Sequence, residues 1–341
     1  MTALLIDPAS DRDELLASLY RGDLVVFTKL ASVFEYVDFT RRQLSEIFAP
    51  HHPEEAHVGV TPERMAAILG KWKPSFIHHE RSKELVRSIV REAGFSPADT
   101  HFDVPKPRTA YPVDHLTTGI AFAFPWHRDT WYAAPRQQIN WWLPIHPIRV
   151  DNAMMFDLGS FDEHVPNDSD EFDYYELNRA RLRTAAQVKK ETQVRPRAVG
   201  HEAQDPFVVL LPPGSVLLFS GAHLHASIPN TSGRARYSVD FRTVDRRHVL
   251  DAIGAPLRDV RCTGTALRDF VNVETGARFD ESVVRRLHGE PPDDVMLVFD
   301  RNAAEQDHLR PLPSTDVVTT GNPSALVGPS LQEASSPSGA T

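Results

Sequence analysis

The feature that most constrains the fold is a change in hydrophobic period near residue 100. Before it, apolar residues recur at helical spacing; after it, short apolar segments alternate with turns rich in Pro, Gly, Asn and Asp. Short strands with such turns predict a mainly β fold, a sandwich or jelly roll, with helices packed against one face. The predicted strands are Thr117–Phe124, Gln137–Leu143, Ala153–Leu158, Phe207–Leu211, Val216–Phe219 and Arg236–Thr243.

Helix start and stop signals divide the first hundred residues. We expect a short strand at Leu24–Phe27 and an amphipathic helix over Ser82–Ala93. Between them, Thr61 followed by Pro62 predicts the start of another helix, because Thr caps helices and Pro suits their first position. Gly70 is the expected end of that helix.

Residues 160–205 interrupt the strands with a charged, helix-prone insertion. Such an insertion is often a lid over the mouth of a barrel. A surface helix that covers a sheet edge is the alternative, and the sequence does not choose between the two. We expect one domain over residues 1–310, and a disordered Pro-, Ser-, Thr- and Gly-rich tail over residues 311–341. That domain is expected to comprise an N-terminal helical region (residues 1–100), a jelly-roll core (about 101–245) and a C-terminal helical region (residues 246–310).

Composition excludes several classes of partner. Of 341 residues, 37 are Lys or Arg and 46 are Asp or Glu, so the formal net charge is −9 and no nucleic-acid partner is expected. No apolar run is long enough to span a membrane and no signal peptide is recognisable, so we expect a cytoplasmic protein with no membrane partner. A single cysteine, Cys262, cannot build a thiolate cluster, so a metal site would use His and carboxylate ligands. The sequence leaves the oligomeric state open.

His127 and Asp129 are the first candidate metal ligands. In an extended backbone, residues two apart point to the same side, so these two can offer a nitrogen and an oxygen to one point. His225 is the expected third ligand and His223 its competitor; the Ala-Ser-x-x-Asn sequence after His225 favours the former. Two imidazoles and one carboxylate are typical of non-haem iron(II) oxygenases, where they leave positions open for a bidentate co-substrate and O₂.

Arg236 lies eleven residues after His225, on the next predicted strand. A guanidinium beside such a metal can bind a carboxylate with two hydrogen bonds, which suits a dicarboxylate co-substrate. Two other arginines compete for this role. Arg234 is expected in an exposed turn, and Arg242 is expected in an ion pair on the same strand face as Arg236.

The chain resembles the phytanoyl-CoA-dioxygenase-like branch of the Fe(II)/2-oxoglutarate-dependent oxygenases over roughly residues 115–245. The resemblance implies a double-stranded β-helix, the cupin-like jelly roll. It also implies Fe(II) held by His127, Asp129 and His225, with 2-oxoglutarate and O₂ as co-substrates. The residues that carry it are His127-x-Asp129, Trp142, Asn152-Ala153-Met154, Leu158-Gly159-Ser160, Pro213-Gly214-Ser215, His225-Ala226-Ser227-x-x-Asn230-x-Ser232 and Arg236.

The same resemblance implies roles around the co-substrate. Arg236 and Ser227 would bind the distal carboxylate of 2-oxoglutarate, and Trp142 would line its pocket. The chain departs from the family at Ala153, where Gly is usual, which affects a turn. It departs again at the insertion 160–205, where substrate contacts would lie.

These features predict a dioxygenase that hydroxylates a small molecule. Asp129 stands where related halogenases carry Gly or Ala, which favours hydroxylation over halogenation. Desaturation, epimerisation or ring closure at the same site, and a non-oxidative cupin-like metal-binding protein, are the alternatives. Acidic and tyrosyl residues between Asp170 and Asn178, Asp173 and Tyr175 among them, suggest a polar, amine-bearing substrate. An amino-sugar, aminocyclitol or amino-acid intermediate of antibiotic biosynthesis would fit.

Overall fold

The computed structural model describes residues 2–9, 11–112, 124–178 and 195–291. The helices are α1 (Arg12–Tyr20), α2 (Ala31–Phe48), α3 (Ala56–Gly59), α4 (Pro62–His78), α5 (Glu80–Glu92), α6 (Arg246–Leu250) and α7 (Glu281–His288). The strands are β1 (Leu4–Ile6), β2 (Leu24–Phe27), β3 (Thr100–Phe102), β4 (Lys106–Ala110), β5 (Ile139–Pro144), β6 (Met154–Asp157), β7 (Phe207–Val209), β8 (Val216–Ser220), β9 (Leu224–Ser227), β10 (Arg236–Asp245) and β11 (Val271–Asn272).

Two sheets carry the fold, as the jelly-roll prediction requires. The larger has the order β1-β2-β8-β5-β10-β3-β11, with β4 also paired to β10. The smaller has the order β7-β6-β9, and His127 extends it by a bridge to His225. Apart from the pairing of β1 with β2, the neighbours in both sheets run antiparallel. The mainly β, cupin-like fold is confirmed.

The larger sheet separates a helical core from a cavity, and strand β10 shows why. Its side chains alternate between the two faces. Tyr237, Val239 and Phe241 are buried in the core that the helices share. The residues between them, from Arg236 to Arg242, line the cavity. Strand β5 repeats the pattern, with Trp141 in the helical core and Trp142 at the cavity. The predicted helical layer on one sheet face is therefore confirmed.

Helix α4 begins as predicted but ends later. Thr61 caps it, since its hydroxyl accepts a hydrogen bond from the Arg64 amide. The expected end at Gly70 is wrong: the helix continues to His78, even through Pro74. The reason is burial, because Trp72 and Phe76 extend the apolar stripe of this helix beyond the glycine into the core.

Five of the predicted strands agree with the structure to within a few residues, namely β2, β5, β6, β8 and β10. Strand β7 is shorter than predicted, and β1, β3, β4, β9 and β11 are absent from the predicted strands. Most of the predicted strand Thr117–Phe124, the later stretch of the insertion helix, the end of the C-terminal helical region and the tail 311–341 lie outside the described residues.

Among the residues that the structure describes, every helix is too short or too polar to cross a bilayer.

Candidate metal centre and co-substrate pocket

A cavity of about 610 Å³ lies between the two sheets. Strands β4, β5 and β10 form one wall, and β6, β9 and the segment before His127 form the facing one. Helix α4 and two short stretches, residues 172–177 and 266–270, also contribute to the lining.

The cavity contains the three predicted metal ligands side by side. His127 and His225 exchange two backbone hydrogen bonds, each with a nitrogen–oxygen distance of 3.0 Å, which places one imidazole next to the other. Asp129 begins a short 3₁₀ turn, and its Oδ1 lies 3.7 Å from His127 Nε2. One ligand atom from each of the three residues lies within 4.8 Å of the other two, close enough for one metal ion.

Backbone carbonyls orient both imidazoles. His127 Nδ1 lies 2.8 Å from the Pro125 carbonyl oxygen, and His225 Nδ1 lies 3.0 Å from that of His223. A proton on each Nδ1 leaves each Nε2 as a free lone pair, the usual arrangement of metal-binding histidines. Burial lowers the pKa of both imidazoles, so both are neutral at physiological pH, as metal binding requires.

Gln138 fixes the carboxylate of Asp129. Its Nε2 donates to Asp129 Oδ2 and to Asn140 Oδ1, both at 2.9 Å, so one carboxylate oxygen is held and the other is free to bind metal. Burial alone would raise the pKa of Asp129, but the nearby Arg242 and the two imidazoles lower it. Two neutral imidazoles and one ionised carboxylate are the donor set that suits Fe(II).

His223 does not belong to this group of ligands. The chain turns at residues 221–223, so His223 does not share the strand face of His225. Its ring nitrogens lie 3.1 Å from the Ser220 carbonyl and 3.0 Å from the Gly22 carbonyl, and its own carbonyl orients His225. The competing assignment therefore finds no support in the geometry.

Arg236 lies in the same cavity as a buried cation. Its Nη1 donates to the carbonyl oxygens of Asn152, at 2.8 Å, and Ala153, at 3.2 Å, while its buried Nε has no hydrogen-bond partner. No carboxylate of the described residues forms an ion pair with it, and burial lowers its pKa to about 10. A buried guanidinium without a counter-charge is poised to accept an anionic ligand.

Ser227 and Trp142 line the same cavity, as expected for residues around a co-substrate. Ser227 ends β9, two residues after His225. Trp142 packs against Met154 and Phe219, which also line the cavity.

Both competing arginines form ion pairs with carboxylates. Arg234 is half exposed and forms an ion pair with Glu55 at 3.0 Å. Arg242 forms ion pairs with Asp103 at 3.1 Å and Asp240 at 3.2 Å, as predicted. Asp240 also receives two hydrogen bonds from Arg108.

The acidic residues between Asp170 and Asn178 do not line the cavity, contrary to the expectation. Asp173 caps a helical turn, where its Oδ1 accepts the amides of Tyr175 and Glu176. The hydroxyl of Tyr175 accepts a hydrogen bond from Arg268 at 2.9 Å. Asp170 is exposed and paired with Arg261. The residues that do line the cavity are the mainly apolar Phe172, Tyr174 and Leu177.

The insertion is anchored at both ends beside the metal centre. Asn167 and Ala198 form an antiparallel bridge, and the Val199 amide donates to the Pro166 carbonyl at 2.8 Å. The Ala198 amide donates to the Trp126 carbonyl, next to His127, also at 2.8 Å.

Arg128 connects this anchor to the metal ligands. Its guanidinium is buried, forms an ion pair with Asp259 at 3.2 Å, and donates to the carbonyls of Ala222, Phe161, Ser160 and Glu163. A single side chain between His127 and Asp129 therefore ties together the turn before His225 and the start of the insertion. Removing one partner of such a buried pair typically costs about 3–5 kcal/mol.

Sequence reasoning missed three groups of cavity residues. Gln138 was detectable, because the period of the predicted strand at 137–143 places it on the face of Trp142. No sequence pattern placed Lys106 and Arg108 in the cavity, since Pro107 between them argues against a strand. The apolar residues 172–177 were hidden among the charges of the insertion.

Distant likenesses to solved structures accompany this geometry. The non-heme monooxygenase ThoJ shows a TM-score of 0.42 and 16% identity, covering 67% of this chain and 77% of its own. EvdO2 from Micromonospora carbonacea var. aurantiaca, complexed with 2-oxoglutarate, shows a TM-score of 0.42 and 14% identity, covering 70% of this chain and 91% of its own. The epimerase SnoN, complexed with Fe3+, alpha ketoglutarate and nogalamycin RO, shows a TM-score of 0.37 and 15% identity, covering 74% of this chain and 98% of its own. Likenesses at this distance carry no conclusion about activity.

The family assignment rests on a sequence profile. No curated protein matches the chain. The profile of the phytanoyl-CoA dioxygenase family (PhyH) matches residues 49–238, which is more than half of the chain and includes the His-Asp-His centre and Arg236. The chain therefore belongs to the phytanoyl-CoA dioxygenase family of Fe(II)/2-oxoglutarate-dependent oxygenases.

Proposed function

We propose that this oxygenase hydroxylates a C–H bond of a small organic substrate, an intermediate of natural-product metabolism. His127, Asp129 and His225 would hold the iron, and Arg236 would hold the distal carboxylate of 2-oxoglutarate. Iron(II), when bound, supplies O₂ activation coupled to the decarboxylation of 2-oxoglutarate to succinate and CO₂.

The observation that carries the proposal is the position of Arg236. A buried guanidinium, which no carboxylate of the described residues pairs with, lies in the same cavity as the three metal ligands. A non-oxidative cupin needs a metal site alone, whereas an enzyme that binds a dicarboxylate co-substrate needs a second, cationic anchor. The geometry therefore favours the oxygenase over the cupin-like alternative.

The surrounding residues have definite tasks in this proposal. Ser227 lies near the anchor and can donate its hydroxyl proton to the bound carboxylate. Trp142 and Phe219 line the cavity and exclude water from it. Gln138 holds one oxygen of Asp129 and leaves the other for the metal, which keeps coordination positions open.

Hydroxylation is the outcome that we favour, because Asp129 occupies the carboxylate position and is oriented by Gln138. The amine on the substrate is not included in the proposal. It rested on the acidic and tyrosyl cluster between Asp170 and Asn178; Tyr174 of that cluster lines the cavity, but none of its four carboxylates does.

The first test is anaerobic addition of Fe(II) and 2-oxoglutarate, which should produce the metal-to-ligand absorption band of the bound co-substrate. His225→Ala should abolish the band, whereas Arg234→Ala, a matched change outside the cavity, should retain it. The second test is ¹⁸O₂ with candidate substrates. One labelled oxygen atom in the product indicates hydroxylation, whereas an unlabelled product with coupled succinate release would indicate desaturation, epimerisation or ring closure.

A further inference from the structure

Five charged side chains form a continuous ladder on the cavity wall made by β4 and β10. In order, they are Lys106, Asp103, Arg242, Asp240 and Arg108, and each neighbouring pair is linked by an ion pair. Three cations therefore share two carboxylates, so the ladder has one excess positive charge. All five line the cavity.

The excess charge is presented to the cavity. The two end cations, Lys106 and Arg108, have 33% and 35% of their side-chain surface exposed, while Asp103 and Asp240 have only 6% and 13%. Both cations lie on the same face of β4, since they are two residues apart. A ligand in the cavity would thus meet ammonium and guanidinium groups, with the carboxylates behind them.

Lys73 and Phe124 lie beside the Arg108 end of the ladder. Lys73, on helix α4, also lines the cavity; its pKa is lowered to about 7, chiefly by burial and further by Arg108, so it carries only part of a positive charge at neutral pH. Arg108 is held in place by Asp240 and by the ring of Phe124, 5.4 Å from the guanidinium carbon.

The Lys106 end of the ladder is separate from the co-substrate anchor. On β10, Arg236 pairs with Ala110, whereas Asp240 pairs with Lys106, so the two positions are four residues apart. Four residues of extended strand span roughly 13 Å. A 2-oxoglutarate that reaches from Arg236 to the metal therefore leaves Lys106 free for another ligand, while Arg108, opposite Ser238, lies between the two positions.

Another wall of the cavity is apolar. Tyr132, Phe172, Tyr174 and Leu177 belong to one hydrophobic cluster, and all four line the cavity, with Phe270 nearby in the lining. Aromatic walls of this kind favour a ligand with a flat or bulky apolar body.

We propose that the prime substrate is an amphiphilic acid, whose oxyanion group binds Lys106 and Arg108 while its apolar or aromatic body contacts Phe172 and Tyr174. This inference rests on the proposed function, because it names the substrate class of the same site. The shared chemistry is an oxyanion, and carboxylate and phosphonate are its two forms to be distinguished.

The test uses four naphthalene probes that differ only in their head group: naphthylacetate, naphthylmethylphosphonate, naphthylacetamide and naphthylmethylammonium. Binding to the protein loaded with Fe(II) and saturating 2-oxoglutarate, without O₂, is measured by calorimetry. We expect at least one anion to bind roughly tenfold or more tightly than the amide, and the ammonium most weakly. The tighter of the two anions identifies the preferred oxyanion.

Variants locate the effect. Lys106→Gln and Arg108→Gln should each reduce anion affinity towards that of the amide, whereas Arg234→Gln should not. If Arg108→Gln fails to fold because Asp240 loses a partner, Lys106→Gln still decides the question. Equal binding of anion and amide, a preference that survives in Lys106→Gln, or no binding of either anion would overturn the inference. Failure of the proposed function is recognised separately, because the 2-oxoglutarate absorption band would then be absent before any probe is added.

Discussion

Replacing Arg236 by Met should separate co-substrate binding from stability, because this arginine is buried and forms no ion pair with a carboxylate in the part of the chain that the structure describes. Its pKa is lowered to about 10 by burial and, to a smaller extent, by Arg108. A lowered pKa means that folding disfavours the charged form of this arginine. Its charge therefore destabilises the folded chain at all pH values below about 10. The lowering corresponds to about 3 kcal/mol at neutral pH.

Two hydrogen bonds oppose this effect. The carbonyls of Asn152 and Ala153 would lose the donor Nη1 of Arg236, which typically costs about 1–3 kcal/mol. The free energy of unfolding of the ligand-free Arg236→Met protein should therefore equal that of the parent or exceed it by up to about 2 kcal/mol. The affinity for 2-oxoglutarate should fall by about 2–5 kcal/mol, which is roughly thirtyfold to several thousandfold.

The assays are urea unfolding of the ligand-free protein and anaerobic titration of the Fe(II)-loaded protein with 2-oxoglutarate. In the parent, 2-oxoglutarate at a hundred times its Kd should add about 2.7 kcal/mol to the free energy of unfolding, and in Arg236→Met the same concentration should add no more than about 0.9 kcal/mol. The reasoning is refuted if the ligand-free variant loses more than about 2 kcal/mol, or if it binds 2-oxoglutarate within about threefold of the parent.

Three further predictions follow from the fold and the site. Gln138→Leu should weaken Co(II) or Fe(II) binding by roughly ten- to a hundredfold, because Asp129 loses the donor on Oδ2, while far-ultraviolet circular dichroism stays the same; unchanged affinity in calorimetry would contradict this. Gly70→Ala should raise the free energy of unfolding by about 0.5–1 kcal/mol, because Gly70 is exposed within α4 and an added Cβ meets no atom within 4 Å; a lower urea midpoint would count against it. Burial lowers the pKa of His101, His146 and His223 to about 4, so these groups are neutral in the folded chain but bind protons in the unfolded chain below their usual pKa of 6.5. Stability of the metal-free protein should therefore fall as the pH drops from about 6.5 towards 4, by up to about 1.4 kcal/mol per pH unit for each histidine, and equal urea midpoints at about pH 7.5 and about pH 5 would contradict it.

The metal centre was predictable from sequence because its signals are local. His127 and Asp129 are two residues apart, and His225 is followed by a recognisable Ala-Ser-x-x-Asn sequence. Period-two alternation likewise placed Trp141 and Trp142 on opposite faces of β5, which the structure confirms.

The charged ladder was not predictable, because its contacts join distant regions of the chain. Arg108 and Asp240 are 132 residues apart, and only the pairing of β4 with β10 brings them together. The prediction of substrate contacts from the acidic residues of the insertion failed for a different reason. Its carboxylates satisfy backbone amides and surface arginines, as Asp173 does at a helix start, so a cluster of acidic residues indicated local structure and not a ligand.

The clamped ends of the insertion bear on how this enzyme could acquire new substrates. The chain passes Pro166 and returns at Ala198, where the two ends are hydrogen-bonded to each other and Ala198 also to Trp126. The entropic cost of closing a loop rises slowly, by about 0.6 kcal/mol for each doubling in length. A change in the number of residues between the clamps therefore costs little chain entropy, and the hydrogen bonds that close the two ends need not be lost with it. We expect substrates to be changed most readily by substitutions in this stretch, whose Phe172, Tyr174 and Leu177 form part of the cavity wall.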